Sequence, residues 1–61
     1  MKEIFRTYTT AHGATVTVIK YTEADGEHWH VKHSNPYIES GYFSNNRRDA
    51  MIHAQFLVGK Y

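Results

Sequence analysis

This chain has 61 residues and no cysteine, so it must hold a small core together without disulfides or thiolate-bound zinc. A domain of this size buries only about 60% of the surface that its unfolded chain exposes, which makes its stability marginal. One Trp, five Tyr and three Phe supply the large apolar side chains that dense packing needs. We therefore expect a single domain over residues 1–61, stabilised by aromatic packing, by a partner subunit or by histidine-bound metal.

Three segments have the composition of β-strands and are joined by short turns. β-branched and aromatic residues are frequent in each of them, and Gly13 and the Asp25-Gly26 pair provide turn residues between them. The predicted strands are Glu3–Thr10, Thr15–Tyr21 and Glu27–His33. Strands joined in this way form an antiparallel meander.

The segment that follows the third strand is open to two interpretations. Pro36 ends the sheet pattern, because proline cannot donate a hydrogen bond within a central strand. Residues Tyr37–Phe43 are compatible with a short edge strand interrupted at Gly41, or with an irregular loop that carries aromatic residues over the sheet. We favour the short strand.

The C-terminal segment predicts an amphipathic helix. Ser44, Asn45 and Asn46 are three possible N-caps, and with Asn46 as the cap Asp49 falls at the third helical position. Gly59 is expected to end the helix in a left-handed conformation. Five apolar residues recur at helical spacing and define its buried face: Ala50, Met51, Ala54, Leu57 and Val58.

These elements predict an α+β fold: a three- or four-stranded antiparallel meander with one C-terminal helix packed on one face. The predicted core beneath the helix contains Val16, Val18, Trp29, Val31, and either Phe5 or Ile4. The reverse face of the sheet is then left to solvent or to a partner.

The histidines raise the question of a metal site. His28 and His30 lie two residues apart in a strand and therefore project from the same face. Two imidazoles at this spacing can hold Zn²⁺, Ni²⁺ or Cu²⁺ with His12, His53 or a carboxylate as further ligands. A solvated polar face is the interpretation that we favour, with no metal and no cofactor.

Two arginines at the start of the helix form a candidate anion site. Arg47 and Arg48 oppose the helix dipole there, and free backbone amides of the first turn would help them hold a phosphate or a partner carboxylate. The alternative is local neutralisation by Asp49 or Glu39. Basic and aromatic residues elsewhere extend the predicted binding surface, which comprises Arg6, Tyr8, Lys20, Tyr21, His28, His30, Lys32, Arg47 and Arg48.

Other features narrow the class of function. No paired-carboxylate site, glycine-rich phosphate loop or nucleophile motif is present, so we predict that the chain is not an enzyme. The net charge of +1 is low for a domain that grips a phosphate backbone through many contacts. No apolar run approaches a membrane span, and the N-terminus lacks the apolar stretch of a signal peptide, which together indicate the cytoplasm.

The run from Phe43 to Ala54 joins an aromatic strand end, a polar cap and a helix that opens Arg-Arg-Asp-Ala-Met-Ile-His-Ala. In this layout the chain resembles small accessory proteins from the early regions of lambda-like temperate bacteriophages. The resemblance implies a protein of the bacterial host cytoplasm that modulates a host protein by direct contact, without catalytic residues.

We therefore predict a non-enzymatic module that binds a host protein. The alternative is a nucleic-acid-binding module that uses the open sheet face and the basic start of the helix. A homodimer, formed through an edge strand or the open face, is compatible with either function.

Overall fold

The computed structural model describes all 61 residues and shows a four-stranded antiparallel sheet with one helix packed against it. The predicted α+β fold is confirmed. The strands lie in the order in which they occur in the chain, so the sheet is a simple meander. Its elements are β1 (Lys2–Thr9), β2 (Thr15–Glu23), β3 (Gly26–His33), β4 (Tyr42–Ser44) and α1 (Arg47–Lys60).

The first two turns form where the sequence predicts them. Gly13 adopts a φ of 80°, and Thr10 closes that turn by donating its backbone N–H to the Ala14 carbonyl at 2.8 Å. The β2–β3 hairpin pairs Glu23 with Gly26, so Ala24 and Asp25 occupy its two loop positions. The Asp-Gly pair therefore marks the hairpin but does not fill the centre of the loop.

The segment after β3 is mostly a turn, and the predicted strand over Tyr37–Phe43 is correct only at its end. The Asn35 carbonyl accepts hydrogen bonds from the N–H groups of Ile38 and Glu39, at 3.0 and 3.3 Å. Pairing with β3 begins only at Tyr42 and lasts for three residues. The turn uses the backbone groups that a longer strand would need.

The start of α1 is as predicted, but its end is not. The Asn46 side chain caps the helix by accepting a hydrogen bond from the Asp49 N–H at 3.3 Å. Gly59 is helical and not left-handed, and Tyr61 is the C-cap, donating its N–H to the Leu57 carbonyl at 2.9 Å. An ordinary helical hydrogen bond therefore continues past the glycine. The helix is neither long enough nor apolar enough to span a membrane.

The core lies between α1 and one face of the sheet. Its fully buried members come from β2, β3 and α1: Val16, Val18, Trp29, Val31, Ala50, Ala54 and Leu57. Phe5 packs against this cluster, whereas Ile4 lies outside it with 66% of its surface exposed. A β-bulge between Ile4 and Arg6 explains this choice, because the extra residue changes which side of β1 faces the helix.

Candidate functional site

The sheet has a covered face beneath α1 and an open face on the reverse side. In antiparallel strands, residues that pair directly across a ladder project from the same face. The pairs Ile4–Ile19, Ile19–His30 and His30–Phe43 therefore place one residue from each strand in a single row. We call Ile4, Ile19, His30 and Phe43 the central row of the open face.

The middle of the central row is buried although no secondary-structure element covers it. Ile19 is 6% exposed and His30 is 9% exposed, whereas Ile4 and Phe43 at the two ends are 66% and 68% exposed. The Phe43 ring stacks on the His30 ring with 4.0 Å between centroids and 18° between planes. The row thus presents two exposed apolar side chains joined by a continuous buried strip.

His30 is held in this row without a hydrogen bond. Both of its ring nitrogens are buried and have no partner. A Cβ atom built on Gly41 would lie 2.6 Å from His30 Nε2, so only glycine allows the backbone to approach the ring this closely. Burial, with a smaller effect of Lys32 and Lys2, lowers the pKa of His30 from its usual 6.5, and Glu39 opposes this in part.

The rest of the open face is polar. Tyr21 and His28 pair across β2 and β3, Lys2 pairs with Tyr21, and Lys32 pairs with Thr17. The Lys2 ammonium lies 5.9 Å from the centre of the Tyr21 ring. Four of the predicted binding residues therefore lie on the open face: Tyr21, His28, His30 and Lys32.

The other predicted binding residues lie elsewhere. Arg6 pairs with Val18, Tyr8 with Val16 and Lys20 with Trp29, which places all three on the side of the helix. Tyr8 packs against the core there. A surface that joins all nine predicted residues is therefore not formed, because the bulge in β1 and the alternation of β2 divide them between two faces.

The five tyrosines lie in three different parts of the molecule. Tyr8, Tyr42 and Tyr61 pack against the core, and Tyr37 is 97% exposed in the turn before β4. Only Tyr21 lies on the open face. The apolar residues that the open face does present, Ile4 and Phe43, were not among the predicted binding residues, since their side of the sheet depends on the register of β1 and β4.

Neither acidic residue expected near the arginines neutralises them. Glu39 Oε2 lies 2.7 Å from His53 Nε2, and Asp49 accepts hydrogen bonds from the hydroxyls of Tyr42 and Ser44 at 2.5 and 3.1 Å. Arg47 and Arg48 form no ion pair within 4.0 Å. The local neutralisation considered from the sequence is therefore not formed.

The groups that bind Glu39 and Asp49 form one network at the junction of the turn, β4 and α1. The Tyr42 ring stacks on His53 with 3.9 Å between centroids. The hydrogen bond from Tyr42 to Asp49 favours the neutral phenol and raises the pKa of Tyr42 above its usual 10.0. Glu39 thus contacts His53, and Tyr42 contacts both His53 and Asp49. These contacts connect β4 to α1.

The structure separates the two histidines that were considered as metal ligands. His28 Nδ1 is 3.1 Å from Asn45 Oδ1, whereas both nitrogens of His30 are enclosed. His28 instead lies near Glu23 and Asp25, and one ligand atom of each of the three is within 4.8 Å of the others. These three side chains at the end of the hairpin are close enough together to contact one divalent cation, but both carboxylates are exposed to solvent.

Comparisons with protein-family models, with curated protein sequences and with solved structures gave no match to this chain. The features from which a function can be inferred are therefore those of the molecule itself. Two features of the molecule are distinctive: the central row of the open face, and the arginines at the start of α1, of which Arg47 has no acidic partner.

Proposed function

We propose that this chain is a non-enzymatic module that binds another protein through the open face of its sheet. The observation that carries the proposal is the central row, which runs across all four strands and leaves Ile4 and Phe43 about two-thirds exposed at its ends. The row offers exposed apolar surface at its two ends, with the buried residues Ile19 and His30 between them. Exposed apolar patches with a polar border are typical of protein interaction sites. The polar border here is supplied by Lys2, Tyr21 and Lys32.

The charge on the open face supports a protein partner over a nucleic acid. Lys2 and Lys32 are its basic residues, while Arg6 and Lys20 lie on the covered side. A nucleic-acid groove requires several cations along the path of the backbone together with stacking aromatics. The alternative function is nucleic-acid binding through the open face and the basic start of the helix. It has Phe43 and Tyr21 for stacking, but Arg47 and Arg48 lie on α1, on the covered side of the sheet, and only Lys2 and Lys32 accompany the open face.

The finer proposal, suggested by the phage resemblance, is that the partner is a bacterial host protein and that the chain acts in the host cytoplasm. A bound partner would bury Ile4 and Phe43 and would gain roughly 25 cal/mol for each Å² of apolar surface removed from water. Binding by contact alone requires no reacting group.

The test compares two pairs of exposed apolar residues on opposite sides of the molecule. One variant carries Ile4→Ser and Phe43→Ser; the control carries Ile52→Ser and Phe56→Ser on the outer side of α1, where the side chains are 59% and 55% exposed. Each tagged protein is used to capture partners from a bacterial lysate, with and without nuclease. We expect a nuclease-resistant protein that wild type and the control retain and the open-face variant loses.

Equal retention by both variants would contradict the proposal, and loss of all bound material after nuclease treatment would favour the nucleic-acid alternative. Sedimentation of the purified chain at several concentrations tests whether the partner is a second copy of the same chain. A dimer that the open-face variant cannot form would assign the face to self-association in place of a host protein.

A further inference from the structure

A cleft of about 640 Å³ lies on the covered side of the sheet, between the β2–β3 hairpin and the start of α1. Phe5 and Trp29 contribute its aromatic surface, and Lys20, Glu27 and Arg47 contribute its charges. The volume is within the range of small-molecule sites, roughly 300–1,000 Å³. The cleft and the central row are on opposite faces of the sheet, so neither site depends on the other.

Cations from different elements converge on this cleft. Lys20 comes from β2 and Arg47 from α1. Arg6 does not line the cleft, and its guanidinium lies 4.6 Å from the centre of the Phe5 ring. Glu27 is the one acidic residue of the lining, and its Oε2 is 3.6 Å from Lys20 Nζ. The positive charges of the cleft therefore outnumber its negative charge.

Arg47 is the cationic residue of the cleft that has no acidic partner. It forms no ion pair, although a positive charge at the start of a helix is unfavourable because it opposes the helix dipole. Its planar guanidinium presents parallel N–H donors that match two oxygens of a phosphate group. Lys20 adds a flexible point charge to the lining of the cleft.

We propose that this cleft binds a phosphate-bearing small molecule of nucleotide size. Arg47 holds the phosphate oxygens by paired hydrogen bonds, and Lys20 turns from Glu27 to the same group. The exposed part of Phe5 provides an apolar wall for the remainder of the ligand. Trp29 is 3% exposed, so it forms the base of the cleft and does not stack on the ligand.

An intrinsic fluorophore, Trp29, lies at this site. Trp29 is the only tryptophan, so its fluorescence responds to occupation of the cleft without interference from elsewhere. Pyrophosphate and a nucleoside diphosphate are titrated into the purified protein while Trp29 emission is recorded, and calorimetry measures the same dissociation constants. We expect saturable binding of both, tighter for the nucleoside diphosphate because Phe5 contacts its organic part.

Three matched variants assign the site. Arg47→Gln is expected to weaken binding of the nucleoside diphosphate about tenfold or more, since it removes a charge-assisted hydrogen bond. Arg48→Gln removes the same charge from the neighbouring residue, which does not line the cleft, and is expected to change the dissociation constant by less than about threefold. Glu27→Gln frees Lys20 and is expected to tighten binding.

The proposal is overturned if neither probe changes Trp29 emission nor gives heat of binding. It is also overturned if Arg47→Gln and Arg48→Gln weaken binding equally, which would show a diffuse field of charge and not a site. A single-stranded oligonucleotide that binds tighter than the nucleoside diphosphate, with a steep dependence on salt, would assign the cations to nucleic acid instead.

Discussion

The two faces of the sheet bury their central residues by different means. On the covered face, Val16, Val18 and Val31 are fully buried because Ala50, Ala54 and Leu57 of the helix lie above them. On the open face, Ile19 and His30 reach 6% and 9% exposure through neighbouring side chains and the close backbone of Gly41. Burial by a helix is complete, whereas burial by neighbours leaves the ends of the row exposed.

The two faces also differ in how much the burial of their side chains contributes to the stability of the fold. The covered face places aliphatic groups and Trp29 against one another, and one buried polar atom on that side, His33 Nε2, has no hydrogen-bond partner. The open face encloses an imidazole whose two nitrogens have none. Burying an unpaired polar group costs free energy, so the open face stabilises the fold less for the same loss of exposed surface. Stability thus resides mainly in one face, and the other is available for contact.

The largest expected difference in stability is between the variants Leu57→Ala and Ile4→Ala. Leu57 is 2% exposed in the core, so its truncation is expected to cost about 2–5 kcal/mol of unfolding free energy. Ile4 is 66% exposed, and its truncation is expected to cost less than about 1 kcal/mol. Urea denaturation followed by circular dichroism measures both. Similar losses would show that the open face contributes to stability as much as the covered face does.

A double-mutant cycle examines the contact between Gly41 and His30. Gly41→Ala places a methyl group against the imidazole and is expected to cost about 1–3 kcal/mol. In a His30→Ala background the space is free, so the same substitution is expected to cost clearly less. The coupling free energy from urea denaturation of the four proteins measures this contact. Additive effects would mean that Gly41 is required for reasons of backbone conformation and not by His30.

The smallest expected effect is the dependence of stability on pH. The pKa of His30 is lowered in the folded protein mainly by burial, so protonation favours the unfolded chain. Its contribution to stability is fully present above the unfolded pKa, near 6.5, and is lost progressively as pH falls below that value. Thermal melts of wild type and His30→Leu between pH 8 and 5 measure it. His12→Ala, at an exposed turn position, is the control and should retain the wild-type profile.

A pH profile of His30→Leu that matches wild type would assign the loss of stability in acid to other groups. The contact between His53 and Glu39 is the same in both proteins, so the difference between their pH profiles is the informative quantity. Lys2, Lys32 and Glu39, which act on His30 through their charges, are the same in both.

Much of the fold follows from patterns that act over a few residues. The β-branched run of β2, the alternation of β3 and the cap at Asn46 are local features, and each element forms where they predict it. The covered core could be predicted for the same reason: a period of two in the strands and of 3.6 in the helix fixes which residues share a face. The existence of an open face follows from having only one helix.

The composition of that open face could not be obtained from the sequence. The bulge in β1 places Ile4 in the central row and turns Arg6 and Tyr8 toward the helix, and nothing in the composition of β1 marks where the extra residue lies. The register of β4 then puts Phe43 over His30, and a turn at Asn35 shortens the strand that the sequence suggested. A shift of one residue exchanges every side chain between the two faces.

The sequence by itself determined the first three strands, the helix, their order and most of the residues beneath the helix, because these depend on periodicity within each segment. Only the tertiary structure decided which side of the sheet each predicted binding residue joins. It also decided that Glu39 and Asp49 bind His53, Tyr42 and Ser44 and leave Arg47 and Arg48 unpaired. These outcomes depend on pairing between residues far apart in the chain. Such pairing is fixed by strand register and by competition among partners, which no local pattern encodes.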